Sequence, residues 1–93
     1  MTGTQAFSPD WVSPPGDTIA ELLDEKGWDQ AALADRMGLT HKHINDLVRG
    51  RAAISPDAAQ RLSTVLGSTI EFWLTREAHY RATLQRRDVE KAL

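Results

Sequence analysis

After residue 14, apolar positions recur at helical spacing along most of the chain, and each run is bounded by residues that start or stop helices. In PPGDTIAELLDEKG, Pro15 stands where a first turn tolerates a missing N–H, Ile19, Leu22 and Leu23 share a face, and Gly27 ends the run. Asp29 predicts an N-cap for QAALADRM, whose Leu33, Ala34 and Met37 form a second inward stripe before Gly38. Thr40 caps a third helix over HKHINDLVRG, with Ile44, Leu47 and Val48 inward and Gly50 closing it. Ser55 and Pro56 start a fourth, with Ala59, Leu62 and Leu66 inward and Gly67 at its end. The run STIE then spells a capping box, Ser68 with Glu71, opening a fifth helix through Ile70, Trp73 and Leu74. Residues 75–93 stay helix-compatible but lose a strong apolar stripe, which predicts a longer fifth helix or a frayed end. The expected fold is all-α, with five helices.

Residues 1–14 carry Phe7, Pro9, Trp11 and Pro14 without helical period and read as an extended or loosely docked arm. Its two aromatics are expected to lie against the domain rather than to hold a ligand. The organisation predicted is an arm over 1–14, one domain over 15–80, and a helical extension or frayed tail over 81–93. Ninety-three residues, 41% of them hydrophobic and 26% charged, suit one globular core. The absence of cysteine removes disulfides and thiol catalysis and fits a reducing compartment. No run of about 18 apolar residues exists, and MTGTQAFSPDW lacks the basic flank and apolar centre of a secretory signal. The chain is expected to stay in the cytoplasm, away from membranes.

A net charge of −2 argues at first against a nucleic-acid partner, because phosphate neutralisation supplies most non-specific affinity. The distribution changes that picture. Residues 1–27 carry −4, residues 28–51 carry +1, residues 52–75 carry −1 and residues 76–93 carry +2. The acid is concentrated at the front, whereas GLTHKHINDLVRGR, residues 38–51, gathers Lys42, Arg49, Arg51 and two imidazoles.

Two short helices joined by MGLT, with a glycine in the turn, have the sequence form of a helix-turn-helix. With Ile44 at the centre of the buried side, Lys42, Asn45, Asp46 and Arg49 fall on the opposite side of the third helix, and His43 on its flank. Such a helix suits the major groove, where its N-terminal residues, His41, Lys42 and His43, would reach base edges. Lys42 could donate to guanine O6 or N7, Asn45 could pair with adenine, and Asp46 could accept from cytosine N4. Arg49 and Arg51, at the helix exit, suit phosphates. Gln30, opening the second helix, suits a bond to the DNA backbone and a brace to the next helix. The spacings Lys42–Asp46 and Asp46–Arg49 would also make a solvated, salt-bridged face in any protein. The turn, caps and helix lengths around them favour the groove. Asp46 is the weak point, since a carboxylate facing DNA is repelled unless a cytosine or a basic neighbour meets it.

Metal and catalytic readings find little support. His41 and His43 point about 200° apart on a helix and have no cysteine or third histidine nearby, so no metal and no cofactor are expected. His79 is alone and reads as a surface side chain. There is no glycine-rich phosphate loop, nucleophile elbow or helical His-Glu pair of the metalloprotease type, so no enzyme is expected. Asp17, Glu21, Asp24 and Glu25 read as a solvated face, with Asp17 near the positive end of the first helix dipole.

The stretch WDQAALADRMGLTHKHINDLVRGRAAIS resembles the lambda-repressor-like, xenobiotic-response-element (XRE) type of helix-turn-helix. PPGDTIAELLDEKG ahead of it and SPDAAQRLSTVLGSTIEFWLTREAHY behind it resemble the HigA antitoxins of bacterial toxin-antitoxin modules, so the likeness covers roughly residues 14–80. That resemblance implies a five-helix homodimer that binds double-stranded operator DNA of palindromic sequence. It also implies repression of the chain's own operon and neutralisation of a HigB-like toxin of the RelE type, which cuts messenger RNA. The groove residues it implies are Gln30, Thr40, His41, Lys42, His43 and Asn45. The dimer contact it implies lies around Ile70, Phe72, Trp73 and Leu74. Independently, four large apolar residues within five positions cannot all face one side of a helix, so at least one should meet another surface. The alternative is that Phe72 and Trp73 are core. Residues 1–13 and the basic tail after Tyr80 depart from the family pattern. Openings like FSPDWVSPPG also resemble the start of longer regulators that join this domain to a metallopeptidase domain. Two alternatives therefore stand beside the antitoxin: an XRE-family repressor without a toxin partner, and the DNA-binding segment of such a longer regulator.

Overall fold

A computed structural model describes residues 13–92 and contains α1 (Pro15–Lys26), α2 (Gln30–Met37), α3 (His41–Val48), α4 (Pro56–Leu66) and α5 (Ile70–Ala92). No strand occurs among the described residues. The expected arm lies almost wholly outside them, Phe7 and Trp11 included. Three helices start on the side-chain caps read from the sequence. Asp29 accepts from the Ala32 N–H at 2.8 Å, Thr40 from the His43 N–H at 3.0 Å, and Ser55 from the Ala58 N–H at 3.1 Å. Each bond satisfies a backbone donor that the first helical turn leaves without a partner.

The inward stripes meet in one core. Ile19, Leu33, Ile44, Leu47, Leu62 and Trp73 are fully buried, one or two from every helix. Burying side chains of this size stabilises by roughly 1.5–3 kcal/mol each before conformational entropy is counted. α1 packs on α3 and α5, α2 on α3 and α4, and α4 on α5. α1 approaches α3 so closely that a Cβ on Gly16 would lie 1.9 Å from the Val48 carbonyl oxygen. Only glycine allows that backbone contact.

Two expectations change at the start of α5. Ser68 has φ 67°, a left-handed conformation, whereas an N-cap needs extended backbone. The cap is Thr69, whose Oγ1 accepts from the Phe72 N–H at 3.0 Å, so Ser68 and Glu71 form no capping box. Gly67 and Ser68 are both consumed by the turn out of α4, and the helix begins one residue later than STIE suggests. Trp73 is likewise core rather than surface: its ring is fully buried and its indole N–H donates to the Gly67 carbonyl at 3.1 Å. Past Tyr80, α5 continues without a break to Ala92, so the whole helix is about 34 Å long at 1.5 Å per residue. Its last turns are mostly exposed. No helix among the described residues is long and apolar enough to cross a membrane.

Candidate nucleic-acid interface

α2 and α3 are eight residues each and are joined by Gly38, Leu39 and Thr40. The turn is closed by Leu39 N–H donating to the Ala34 carbonyl at 3.0 Å, and Leu39 rests half-buried against the core. α3 is pinned from beneath by Ile44 and Leu47, so its opposite side faces outward. His41 and Lys42 are exposed at its N-terminal end, and His43 is half-buried. The Lys42 side chain is 86% exposed. His41, Lys42 and Asn45 line one shallow, open depression in the surface.

Behind these residues runs a continuous polar chain. Lys42 Nζ bonds Asp46 Oδ2 at 2.9 Å, and Arg51 Nε bonds Asp46 Oδ1 at 3.2 Å. The same Arg51 donates through a terminal guanidinium nitrogen to Asn45 Oδ1 at 3.0 Å, and Asn45 Nδ2 donates to Gln30 Oε1 at 3.1 Å. The Lys42 hydrogen bond, helped by Arg51 and opposed by partial desolvation, holds the Asp46 carboxyl below its ordinary range. Asp46 therefore stays ionised and covered by two cations. In the free chain its negative charge is thus offset by two basic neighbours.

Several expectations are refined by this network. Gln30 braces α3, but through a side chain, Asn45. Asn45 is half-buried with both ends of its amide engaged, so pairing with adenine requires exchange of the Gln30 or Arg51 bond. Arg51 folds back over α3 rather than outward, although 60% of its side chain is exposed. Arg49 is exposed at the C-cap of α3. Thr40 spends its hydroxyl on the cap, and its exposed position at the turn keeps it beside His41. Among the described residues no three metal-ligating side chains gather.

The four residues assigned to a dimer contact divide. Ile70 and Phe72 are 37% and 38% exposed, Leu74 is half-buried against the core, and Trp73 is unavailable to any other surface. Phe72 packs its ring edge-on to Trp73, with centroids 5.1 Å apart and planes at 83°. Trp73 belongs to the subunit interior because α5 turns its face toward α4 and the Gly67 carbonyl takes the one polar atom of its ring.

Sequence reasoning missed the residues that hold the segment after α3. Glu77, buried in α5, accepts the Ile54 N–H at 3.1 Å and pairs with Arg81, which also donates to the Gly50 carbonyl at 3.2 Å. Gly50 has φ 76°, and a Cβ there would lie 3.2 Å from the Tyr80 hydroxyl. The available signal was the i, i+3, i+4 spacing of Glu77, Tyr80 and Arg81, which a search for apolar stripes passes over.

A sequence profile described as helix-turn-helix matches residues 19–73. The HTH-type transcriptional regulator YddM of Escherichia coli strain K12 is 38% identical over 60 residues, 64% of each chain. Antitoxin HigA-1 of Vibrio cholerae serotype O1 is 37% identical over 54 residues, 58% of this chain and 50% of that protein. The matches thus span less than two thirds of both relatives. Among solved structures, Pseudomonas aeruginosa antitoxin HigA with the higBA promoter superposes with a TM-score of 0.82 at 28% identity, over 88% of this chain and 90% of that one.

Proposed function

The chain belongs to the helix-turn-helix family, and from that premise we propose that it is a sequence-specific DNA-binding repressor, the antitoxin of a toxin-antitoxin module that represses its own operon. The observation that carries this reading is the outer face of α3: exposed Lys42 and His41 at its N-terminal end, on a fold shared with an antitoxin solved with promoter DNA. α3 enters the major groove. There Lys42 donates to guanine O6 or N7, with Thr40, His41 and His43 beside it. The Gln30–Asn45 bond sets the roll of α3 relative to α2, and Asn45 reaches a base only by exchanging a partner. Arg49 and Arg51 meet phosphates as the chain leaves α3. Asp46 keeps Lys42 and Arg51 aligned until DNA competes for them.

Two copies joined through Ile70, Phe72 and Leu74 would set two reading helices about 34 Å apart, one turn of DNA, and so read a palindrome. The antitoxin part of the proposal is supported by the names of the relatives, and its partner is a HigB-like toxin of the RelE type. Genomic fragments retained by the purified protein test the DNA reading: enrichment and footprinting of its own promoter is expected, and retention without sequence preference would sink it. Co-expression with a small basic protein encoded beside it tests the toxin. Separate elution of the two, with no relief of growth arrest, leaves a repressor alone.

A further inference from the structure

Three side chains on one face of α5, Glu77, Tyr80 and Arg81, grip the segment between α3 and α4 from behind, at a place no base or phosphate contact has been assigned. We infer that Glu77 and Arg81 are positioning residues for DNA binding: from α5 they hold the segment that carries Arg49 and Arg51 in the conformation that meets the phosphate backbone. The inference rests on the DNA reading of α3 given above.

Glu77 takes the Ile54 N–H at 3.1 Å with one carboxylate oxygen and pairs with Arg81 through the other. Arg81 then reaches the Gly50 carbonyl at 3.2 Å. The segment is thus tied at both ends, at Gly50 and at Ile54, with Arg51 between them. Its inner side is tied separately to α3, since the N–H groups of Arg51 and Ala52 donate to the Asp46 carbonyl at 2.8 and 3.1 Å. Glu77 has only 8% of its surface exposed and is the one buried charged residue among those described. A carboxylate buried this far is costly unless it is paired and hydrogen-bonded, and here both of its oxygens are engaged. What Glu77 holds is backbone, and that backbone leads out of the reading helix. The Tyr80 ring lies under the Arg81 guanidinium at 4.9 Å, and its hydroxyl closes over Gly50.

For Glu77→Gln, electrostatics alone and positioning predict opposite signs, which makes the inference testable; Arg81→Ala weakens binding on either ground and is read by amide exchange instead. Glu77→Gln removes a negative charge, so by charge alone it should tighten DNA binding; as a positioning residue, its loss of the Arg81 pair should weaken it. In the full chain, we expect Glu77→Gln and Arg81→Ala to weaken binding to a retained operator fragment. The slope of log affinity against log salt should fall by about one to two, as when one or two phosphate contacts are lost. Relative preference among base-substituted operators should be unchanged. Without DNA, amide exchange at Arg51 and Ala52, which do not touch Glu77, should accelerate. Arg81→Lys, which keeps the charge but not the guanidinium fork that spans Glu77 and the Gly50 carbonyl, should still bind more weakly than wild type. Folded Glu77→Gln and Arg81→Ala proteins that bind with wild-type affinity and slope overturn the inference and leave the DNA reading standing. A wild-type chain with no operator preference overturns that reading instead, and unchanged exchange at Arg51 and Ala52 then removes the α5 tether as well.

Discussion

Helix α3 is eight residues long and α5 is 23, yet the short helix is the better held of the two. Helices under about 12–15 residues are marginal in water, so α3 exists because of its surroundings. Thr40 caps it, Ile44 and Leu47 are buried beneath it, Gly16 lets α1 press on its last turn, and the Asn45–Gln30 bond ties it sideways. α5 is held in its first four turns, through Trp73, Arg76, Glu77 and Arg81. Beyond these its apolar residues are sparse and Val89 is 59% exposed. The contrast teaches that order in a short exposed helix comes from tertiary contacts at both of its ends rather than from its length.

Arg76 shows how far that tethering extends. Its guanidinium donates to the carbonyls of Ser13 and Pro14 at 3.1 and 3.0 Å and to the Thr18 hydroxyl at 3.1 Å. The N-terminal entrance of α1 is thereby fixed to α5, just as Gly50 and Ile54 are fixed by Arg81 and Glu77.

The contrast is broken most severely at the held part of α5. Trp73→Ala should cost about 3–5 kcal/mol, because it empties the centre of the core and leaves the Gly67 carbonyl without its donor. Denaturant unfolding measures it, and a cost near zero would mean that α5 is not anchored there. Lys42→Ala, on the proposed reading helix α3, should leave unfolding nearly unchanged. It should still cost about 1–3 kcal/mol of binding on the cognate operator and relax base preference; equal weakening on every sequence would assign Lys42 to phosphate instead.

A smaller effect comes from Asp46. Its carboxyl is held below its ordinary range, chiefly by Lys42, so its contribution is fully present above the unfolded-state pKa. It is lost as pH falls through the lowered folded value. The Asp46 contribution should therefore stay constant from neutral pH down to the carboxylate range, and Asp46→Asn should remove part of the acid limb. An acid limb identical in the two proteins would show the ion pairs contribute nothing. Smallest of all is Val89→Ser in the distal turns of α5, expected within about 0.5 kcal/mol as for exposed sites generally. A larger loss would reveal that these turns are covered by a second copy.

Much of this was legible from residue order, and the exceptions share a cause. The caps at Asp29, Thr40 and Ser55, the glycine stops and the inward stripes through α4 depend on neighbours within four positions, where spacing determines contact. Ser68 was misread because its left-handed backbone is imposed by the turn from α4. Of the candidate DNA-contacting residues, exposure of Lys42 follows from helical phase alone. The engagement of Asn45 by Gln30, 15 residues away, does not.

What the amino-acid order determines by itself is therefore the five helices, the inward faces of the first four and which side of α3 is polar, since all of these arise from local periodicity and capping. The tertiary structure alone decides that Trp73 is interior, that Arg51 folds back to Asp46, and that α5 reaches across 23 residues to hold Ile54. Those outcomes depend on where helices dock, and docking is set by the summed burial of residues distant in sequence rather than by any one segment.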